Sequence, residues 1–251
     1  MHLKERMRAQ IAYYASPYKR ETIHLAKMLK GKIGLEIGGP SPSFGASSFF
    51  PAYAYAQRID GVNFSSNTVW EGEIKQGKTY AYLPGKENGL QYIDEAAEIS
   101  TVADNTYDFL LSCHSLEHVA NPLKALKRWR EVLKKDGVCC ILLPDKEFTS
   151  DRNRPYTLFD HLLEDEAKGV GEDDQTHFEE VIQLHELSMD VLNSVEALRT
   201  RTLDNFHNRC VHHHVFSKEL ICKVLEYSGF EVILVKHIQP IHLFALARKR
   251  G

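Results

Sequence analysis

The sequence predicts a doubly wound α/β fold, a mostly parallel sheet with helices on both faces. The clearest evidence is a strand, helix, strand unit with short connections. A strand pattern at 107–113 (YDFLLSC) precedes an amphipathic helix that Pro122 opens, and the apolar run VCCILL follows at 138–143. Proline suits the first turn of a helix, and an unbroken apolar run is typical of a buried parallel strand.

Short apolar segments on either side extend this pattern to a seven-stranded sheet. The predicted strands are 33–37, 54–59, 90–93, 107–113, 138–143, 230–236 and 242–247. One helix pattern ends before Gly31, and another begins after Ser217 and ends at Gly229. The short connection HIQP favours a hairpin, so the last strand is predicted to be antiparallel.

Residues 144–216 interrupt the alternation. They are rich in charge, histidine and aromatic side chains and contain helical stretches such as THFEEVIQLHEL. A segment of this length and patterning predicts a helical insertion after the fifth strand rather than a simple loop. The 251 residues suit one large domain. We therefore expect a single domain over 1–251, with 144–216 as a cap within it.

Composition narrows the class of partner. Lysine and arginine number 31 against 34 acidic residues, a net charge of −3. No basic stripe favours nucleic acid, and no basic segment favours a membrane surface. The five cysteines form no CxxC pair, and the first ten residues lack the apolar core of a signal peptide. We expect a cytoplasmic protein with reduced thiols, and the sequence does not define an oligomeric state.

Polar and small residues follow the predicted strands, where ligands bind in open parallel sheets. Glycine lets a backbone approach a ligand, and an acid after the second strand can accept hydrogen bonds from a ribose. The residues concerned are Glu36, Gly38 and Gly39 after the first strand, Asp60 and Asn63 at the second, Glu95 after the third, His114, Glu117 and His118 after the fourth, and Asp145 after the fifth.

Three ordered segments resemble class I S-adenosylmethionine-dependent methyltransferases of the methyltransferase type 11 kind. They are GLEIGG, RIDGVNFS and YIDEAAEISTVADNTYDFLLSCHSLEHVANPLKALKRWREVLKKDGVCCILLPD. The likeness covers residues 31–145, and its most specific part runs from Tyr107 to Pro144. It implies a Rossmann-like fold, a methyltransferase activity and S-adenosyl-L-methionine as the cofactor.

The resemblance also implies roles for the residues at the strand ends. Glu36 with the backbone of Gly38 and Gly39 would hold the methionine part of the cofactor. The ribose contact is open between Asp60, the acid nearest the strand end, and Asn63, which stands where the family pattern has an acid. The pair Glu95 and Ala96 would bind the adenine edge, and the residues from Ser112 to His114 would lie under the sulfonium.

Pro40 is the clearest departure from the family pattern, because it replaces the second glycine of the first motif. Either the loop is stiffer and still binds the cofactor, or the chain is a non-catalytic protein that kept the fold. A nicotinamide-dependent oxidoreductase is disfavoured, since Pro40, Ser43 and Phe44 break the G-x-G-x-x-G fingerprint.

Histidines supply the candidates for a general base. The run 212–214 is the densest group among the 13 histidines, and both ends of the insertion lie at the predicted catalytic face. One of these histidines, with Asp145 orienting it, is one hypothesis, and we place His213 and His214 in the predicted site. His118 is the other candidate. In each case a structural role, such as a helix cap or a supporting hydrogen bond, is the alternative.

Two further predictions concern the metal and the acceptor. A metal site built from His177, His185 and the run 212–214 with Asp145, Asp173 or Asp174 lacks the usual ligand spacings, so none is predicted. The polar, histidine-rich insertion and the family's frequent substrates favour O-methylation of a small molecule or glycan. An N-methyltransferase is the nearest variant, since an amine needs less help from a base.

Overall fold

The computed structural model describes residues 17–238 and 240–251, so the interpretation of the first ten residues lies outside the described part. It contains an eight-stranded sheet, a short two-stranded hairpin and helices on both sides. The helices are α1 (Pro17–Ala26), α2 (Ala52–Tyr55), α3 (Pro122–Val132), α4 (Phe159–Lys168), α5 (Phe178–Leu184), α6 (Val195–Leu203), α7 (Asn205–Asn208) and α8 (Lys218–Tyr227).

The sheet has the predicted doubly wound topology. The strands are β1 (Ile33–Ile37), β2 (Arg58–Asn63), β3 (Asn67–Thr68), β4 (Gly72–Glu73), β5 (Gly77–Tyr80), β6 (Gly89–Ile93), β7 (Tyr107–Cys113), β8 (Leu133–Pro144), β9 (Phe230–Ile238) and β10 (His242–Lys249). Their order is β5-β6-β2-β1-β7-β8-β10-β9, with β3 and β4 forming the separate hairpin. Strands β6, β2, β1, β7 and β8 are parallel, whereas β10 is antiparallel to both β8 and β9. The predicted fold and its antiparallel last strand are confirmed.

The strand count, one strand position and the start of another strand differ from the prediction, since β8 begins at Leu133 rather than at 138. The sheet gains an eighth strand, because β5 pairs antiparallel with β6 at the edge. The second strand lies at 58–63 rather than 54–59, and residues 52–55 form a helical turn after Pro51. Strand β2 carries Arg58 and Asp60, whose side chains pair with each other at 3.0 Å. Because β2 contains these polar residues, a search for apolar runs does not locate it correctly.

Two apolar clusters fill the two sides of the sheet. One includes Leu126 and Trp129 of α3 with Val224 of α8. The other includes Phe44 with Phe109 and Phe244, which lie on strands β7 and β10. These clusters fix the strands in the core, so the carboxyl ends of β1, β2, β6 and β7 form one rigid edge.

The insertion between β8 and α8 carries helices α4 to α7, as the helical pattern predicted. Among the described residues, a small separate apolar cluster of the insertion comprises Phe178, Val181 and Val211. Much of the remaining interior of the insertion consists of buried polar side chains. Arg154 is one of the largest of them, at 1% exposure. In the described part of the chain, no helix has the length and apolar character needed to cross a membrane.

Candidate functional site

A cavity of about 660 Å³ opens where the strand ends meet the insertion. One wall consists of the segments that follow β1, β2, β6 and β7, and the opposite wall comes from residues 150–151, 181–190 and 201–212. The hairpin β3–β4 adds Trp70, and the β9–β10 turn adds His242. The site thus combines the ligand-binding edge of the sheet with a second wall that the insertion supplies.

Five of the nine residues predicted to bind the cofactor line this cavity. They are Gly38, Asn63, Glu95, Ala96 and His114. Gly38 has a φ of +72°, a conformation that favours glycine. A Cβ at this position would lie 2.5 Å from the Ser115 hydroxyl oxygen. Both the backbone conformation and the space therefore require glycine at the end of β1.

Glu36 and Gly39 support the loop after β1 from behind the cavity wall. The fully buried Glu36 carboxylate accepts hydrogen bonds from the hydroxyls of Tyr53 and Tyr80, both at 2.7 Å, and from the Ser41 amide at 3.0 Å. Burial raises the pKa of Glu36 to about 7, although these hydrogen bonds act in the opposite direction. A Cβ at Gly39 would lie 2.2 Å from the Tyr80 hydroxyl. In this structure both residues position the loop.

The two predicted ribose contacts occupy different places. Asp60 lies within β2 at 0% exposure, where it accepts hydrogen bonds from Tyr107 at 2.8 Å and the Leu90 amide at 2.8 Å, and pairs with Arg58. Asn63 ends the strand and lines the cavity. Its amide nitrogen donates to the Gly39 carbonyl at 3.3 Å, which ties β2 to the loop after β1. The geometry therefore favours Asn63 for contact with a bound ribose.

Ser112 and His114 end strand β7 on either side of Cys113. The Ser112 hydroxyl is fully buried and has no hydrogen-bond partner among the described residues. His114 lines the cavity, and its Nε2 lies 3.0 Å from Nδ1 of His242. Burial and the neighbouring His242 lower the pKa of His114 to about 3, so its ring is neutral at physiological pH.

An arginine of the insertion contacts the segment that follows β6. Arg209 pairs with Glu95 at 2.7 Å and with Glu172 at 2.6 Å. Its guanidinium also lies 5.1 Å from the Phe64 ring centroid. Arg209 was not predicted as a site residue, because only the fold brings position 209 beside position 95. The interaction means that the insertion directly contacts the acid predicted to bind adenine.

The histidine of the run 212–214 that faces the cavity is His212. Its Nδ1 is hydrogen-bonded to Asp151, and Arg154 pairs with the same carboxylate group at 2.8 Å. Burial acts to lower the pKa of His212, but the Asp151 charge outweighs it and raises the pKa above its usual value. Burial acts to raise the pKa of Asp151, and His212 and Arg154 bring it well below its usual range. This is the arrangement of a base with an orienting carboxylate.

His118 also lines the cavity, with its ring centroid 4.5 Å from that of His212. Its Nδ1 lies 3.1 Å from the Val211 carbonyl oxygen, which can only accept, so Nδ1 carries the hydrogen and Nε2 is free of it. Burial and His212 hold the pKa of His118 well below its usual range. Neighbouring Glu117 is buried with both carboxylate oxygens unpartnered within the described structure, and burial raises its pKa to about 7.

The other predicted catalytic residues have partners outside the cavity lining. Asp145 is 2.8 Å from Nδ1 of His237. His213 is fully buried with Nε2 3.2 Å from the Asn205 amide, and burial lowers its pKa to about 3. His214 is 1% exposed and donates from Nε2 to the Ala120 carbonyl at 3.1 Å. The cavity thus contains His118 and His212 as candidate bases, and Asp151 stands where Asp145 was expected.

Two groups among the described residues bring potential metal ligands within 4.8 Å of one another. One comprises Glu117, His118 and His212 at the cavity, and the other comprises His161, Asp165, His177 and His214. The set considered from the sequence is not assembled, because His185 pairs instead with Asp190 at 2.7 Å. The sequence signal that was missed is the spacing of four between His161 and Asp165, which places both on one face of a helix.

Comparison with known proteins finds a matching family model and similar folds. Residues 42–141 match the family model described as a methyltransferase domain. A sequence search of curated proteins finds no match. Among solved structures, an S-adenosylmethionine-dependent methyltransferase from Mesorhizobium loti is similar, with 14% identity, a TM-score of 0.52, and coverage of 95% of this chain and 98% of that chain. A phosphoethanolamine N-methyltransferase 2 from Haemonchus contortus, solved with S-adenosyl-L-methionine, gives 14% identity and a TM-score of 0.51 over 92% of this chain and 53% of that chain.

The residues present fit S-adenosyl-L-methionine. The cavity is bounded by the end of β1, where only glycine is accommodated, by the polar end of β2 and by an acid followed by a small residue after β6. Pro40 lines this cavity together with Ser41. The structural comparisons support the fold, and the family model supports the activity. Residues 42–141 are thus similar to a methyltransferase domain, and the chain has the fold of the S-adenosylmethionine-dependent methyltransferases compared above.

Proposed function

We propose that this methyltransferase methylates an oxygen atom of a small polar molecule or a glycan, and that a histidine serves as the general base. One observation carries the proposal, the hydrogen-bonded pair of His212 and Asp151 at the wall of the cavity that the strand ends also line. A hydroxyl nucleophile gains from a base beside it, and the base has to lie in the space that holds the acceptor.

Gly38, Asn63 and Glu95 are the chain's principal contacts for the cofactor in this proposal. When bound, S-adenosylmethionine would supply an electrophilic methyl group with a neutral thioether as the leaving group. The chain's own contribution is to align the acceptor with that methyl group, and alignment of this kind gives large rate advantages. The ion pair of Arg209 with Glu95 helps by fixing the insertion against the strand end.

His212 is the favoured base. Its bond to Asp151 keeps the hydrogen on Nδ1, so that in the neutral ring Nε2 is free to accept a proton. Arg154 holds Asp151 in place and also donates to the His212 carbonyl at 2.8 Å. His118 presents a bare Nε2 as well, but its lowered pKa makes it the weaker base of the two.

The acceptor side of the cavity favours a hydroxylated molecule. The insertion lines it with polar groups, including Ser150, Asp190 and Arg201. Asp190 and Arg201 pair with each other at 2.6 Å, and polar groups of this kind can exchange further hydrogen bonds with the hydroxyls of an acceptor. The net charge of −3 supports neither a nucleic-acid nor a membrane partner. The five free thiols suit a reducing, cytoplasmic location.

Two alternatives are tested by separate measurements. The first is N-methylation, the reaction that the name of the Haemonchus contortus neighbour carries. The second is a protein without cofactor affinity. Calorimetric titration with S-adenosylmethionine, S-adenosylhomocysteine and, as a control, NAD tests the second alternative. We expect stabilisation of about 2.7 kcal/mol at a hundredfold excess over the dissociation constant for the first two ligands. If neither S-adenosylmethionine nor S-adenosylhomocysteine binds, the proposed methyltransferase activity is refuted.

The acceptor class is tested by transfer of a labelled methyl group to matched panels of methyl glycosides and primary amines. We expect products from the glycoside panel only, with the label on oxygen. Products from the amine panel alone would contradict O-methylation. Replacing His212→Asn should lower kcat by about 10²–10⁴-fold with cofactor affinity retained, the usual contribution of a general base.

The pH profile distinguishes the two candidate bases. Because only neutral His212 can accept a proton and its pKa is raised, kcat/KM should rise with pH through a value above 6.5. Asp151→Asn removes the carboxylate that raises this pKa, so the rise should move to lower pH. Asp204→Asn is the control, because it breaks the exposed pair with His207 and should leave the profile unchanged. A profile unaffected by Asp151→Asn, or a wild-type rise far below 6.5, would exclude His212.

A further inference from the structure

A second cluster of ligand-type side chains lies within the insertion, away from the cavity lining. His161, Asp165, His177 and His214 place one potential ligand atom each within 4.8 Å of the others. Nε2 of His161 lies 3.0 Å from Nε2 of His177 and 3.2 Å from the Asp165 carboxylate. Nε2 of His214 lies 3.9 Å from the same carboxylate oxygen, Oδ2. Three imidazoles and a carboxylate therefore converge on one point.

The hydrogen bonds around this cluster leave two buried atoms unpaired. His214 donates from Nε2 to the Ala120 carbonyl, so its hydrogen is on Nε2, and the buried Nδ1 has no partner within residues 17–238 and 240–251. The Asp165 Oδ2 atom is likewise buried without a hydrogen bond there. Buried polar atoms are nearly always satisfied, so two unpaired acceptors in one cluster point to a missing positive group.

The pair of His161 and His177 brings two more imidazoles to this cluster. Their Nε2 atoms face each other at 3.0 Å, where one ring can donate to the other but a hydrogen on both atoms would clash. A metal ion resolves all three features at once, since it accepts a lone pair from each imidazole and compensates the carboxylate charge. In a protein, a metal-bound histidine commonly donates its other N–H to a backbone carbonyl, as His214 does to Ala120.

The donor set specifies the type of metal. Nitrogen from imidazole and oxygen from carboxylate bind zinc at about 2.0–2.2 Å in a tetrahedral arrangement, which places ligand atoms about 3.3–3.5 Å apart. The separations of 3.0 and 3.2 Å among the His161, His177 and Asp165 ligand atoms are close to this value. His214 would bind through Nδ1, because its Nε2 donates to Ala120. Magnesium and calcium prefer oxygen ligands, so a site with three imidazoles disfavours them.

We propose that His161, Asp165, His177 and His214 form a structural zinc site. The four residues belong to three chain segments: α4 contributes His161 and Asp165, the residue preceding α5 is His177, and His214 lies in the segment that leads to α8. A bound ion cross-links these segments within an insertion whose apolar cluster is small. It also fixes the chain two residues after His212, the candidate base.

Metal content of purified, tag-free protein prepared without chelator tests the site. We expect Asp165→Asn and His177→Asn each to contain one equivalent of zinc fewer than the wild type. His118→Asn is the matched control, because it changes a histidine of the cavity cluster and should retain that equivalent. Zinc content unchanged by both Asp165→Asn and His177→Asn would overturn the proposal, as would loss caused by His118→Asn alone.

Titration of the chelator-treated wild type gives a measurement that does not depend on any variant folding. Cobalt(II) should bind with one equivalent showing the intense visible absorption of a tetrahedral site, and zinc should displace it. Zinc should also raise the unfolding midpoint of the wild type, and should do so less for Asp165→Asn, because ligand binding to the folded state stabilises it. Absence of both zinc in the purified protein and tetrahedral cobalt absorption would refute the site.

Discussion

The sheet and the insertion are stabilised in different ways. The sheet is held by two large apolar clusters, whose side chains are almost all hydrocarbon. The insertion buries charged and polar side chains instead, including Asp151, Arg154, Asp165 and Arg209. Apolar packing tolerates conservative changes of shape, whereas a buried charge network fails when one member is removed. The two regions should therefore respond differently to substitution, and the acceptor wall should be the more fragile one.

Arg154→Met is the change with the largest expected effect. Arg154 pairs with Asp151 at 2.8 Å and Glu180 at 2.9 Å and donates to the His212 carbonyl, at 1% side-chain exposure. Its removal breaks a buried ion pair and leaves Asp151 with His212 as its partner, and breaking such a pair costs about 3–5 kcal/mol of unfolding free energy. Urea unfolding measures the loss.

Arg199→Met is the matched control for that experiment. Arg199 pairs with Glu179 in the same insertion, but the two side chains are 47% and 63% exposed. Exposed ion pairs contribute about 0–1 kcal/mol, so this variant should unfold nearly as the wild type does. Equal losses in the two variants would contradict the contrast between a buried network and a solvated surface.

Gly34→Ala tests the apolar region, with a smaller expected effect. A Cβ at Gly34 in β1 would lie 2.1 Å from the Phe109 ring on the neighbouring strand β7. Overpacking of this kind costs about 1–3 kcal/mol, because strands and side chains must shift. The loss is measured by urea unfolding. In the double variant with Phe109→Leu the clash is relieved, so the combined loss should be smaller than the sum of the single losses. Additive losses would show that Phe109 does not limit the space.

The same contrast explains what the sequence could predict. Apolar periodicity and turn residues located β1, β7 and α3, because packing determines those elements. The edge strand β5 and the polar strand β2 were missed or misplaced because their stability depends on pairing with neighbours. Gly38 and Asn63 could be placed at the cavity from the positions of strand ends alone.

The second wall of the cavity could not be predicted in the same way. His213 and His214 are adjacent to His212 in sequence, yet only His212 lines the cavity. Its partner Asp151 is 61 positions away, and Arg209 is 114 positions from Glu95. Such long-range polar pairs leave no periodic trace in the sequence, so only the folded chain reveals them.

Asn63→Asp is the prediction with the smallest expected effect, and it tests the boundary between the two regions. The family pattern has an acid here, which suggests that aspartate would improve binding of the ribose. The structure indicates the reverse, because the Asn63 amide nitrogen donates to the Gly39 carbonyl at 3.3 Å. A carboxylate would lose this donor and repel the carbonyl oxygen. One hydrogen bond contributes about 0.5–1.5 kcal/mol, so affinity for S-adenosylhomocysteine should fall by about 2–10-fold in calorimetry. Tighter binding of S-adenosylhomocysteine by Asn63→Asp would instead show that position 63 acts through the ribose alone. The hydrogen bond to Gly39, which joins the end of β2 to the loop after β1, would then not contribute to affinity.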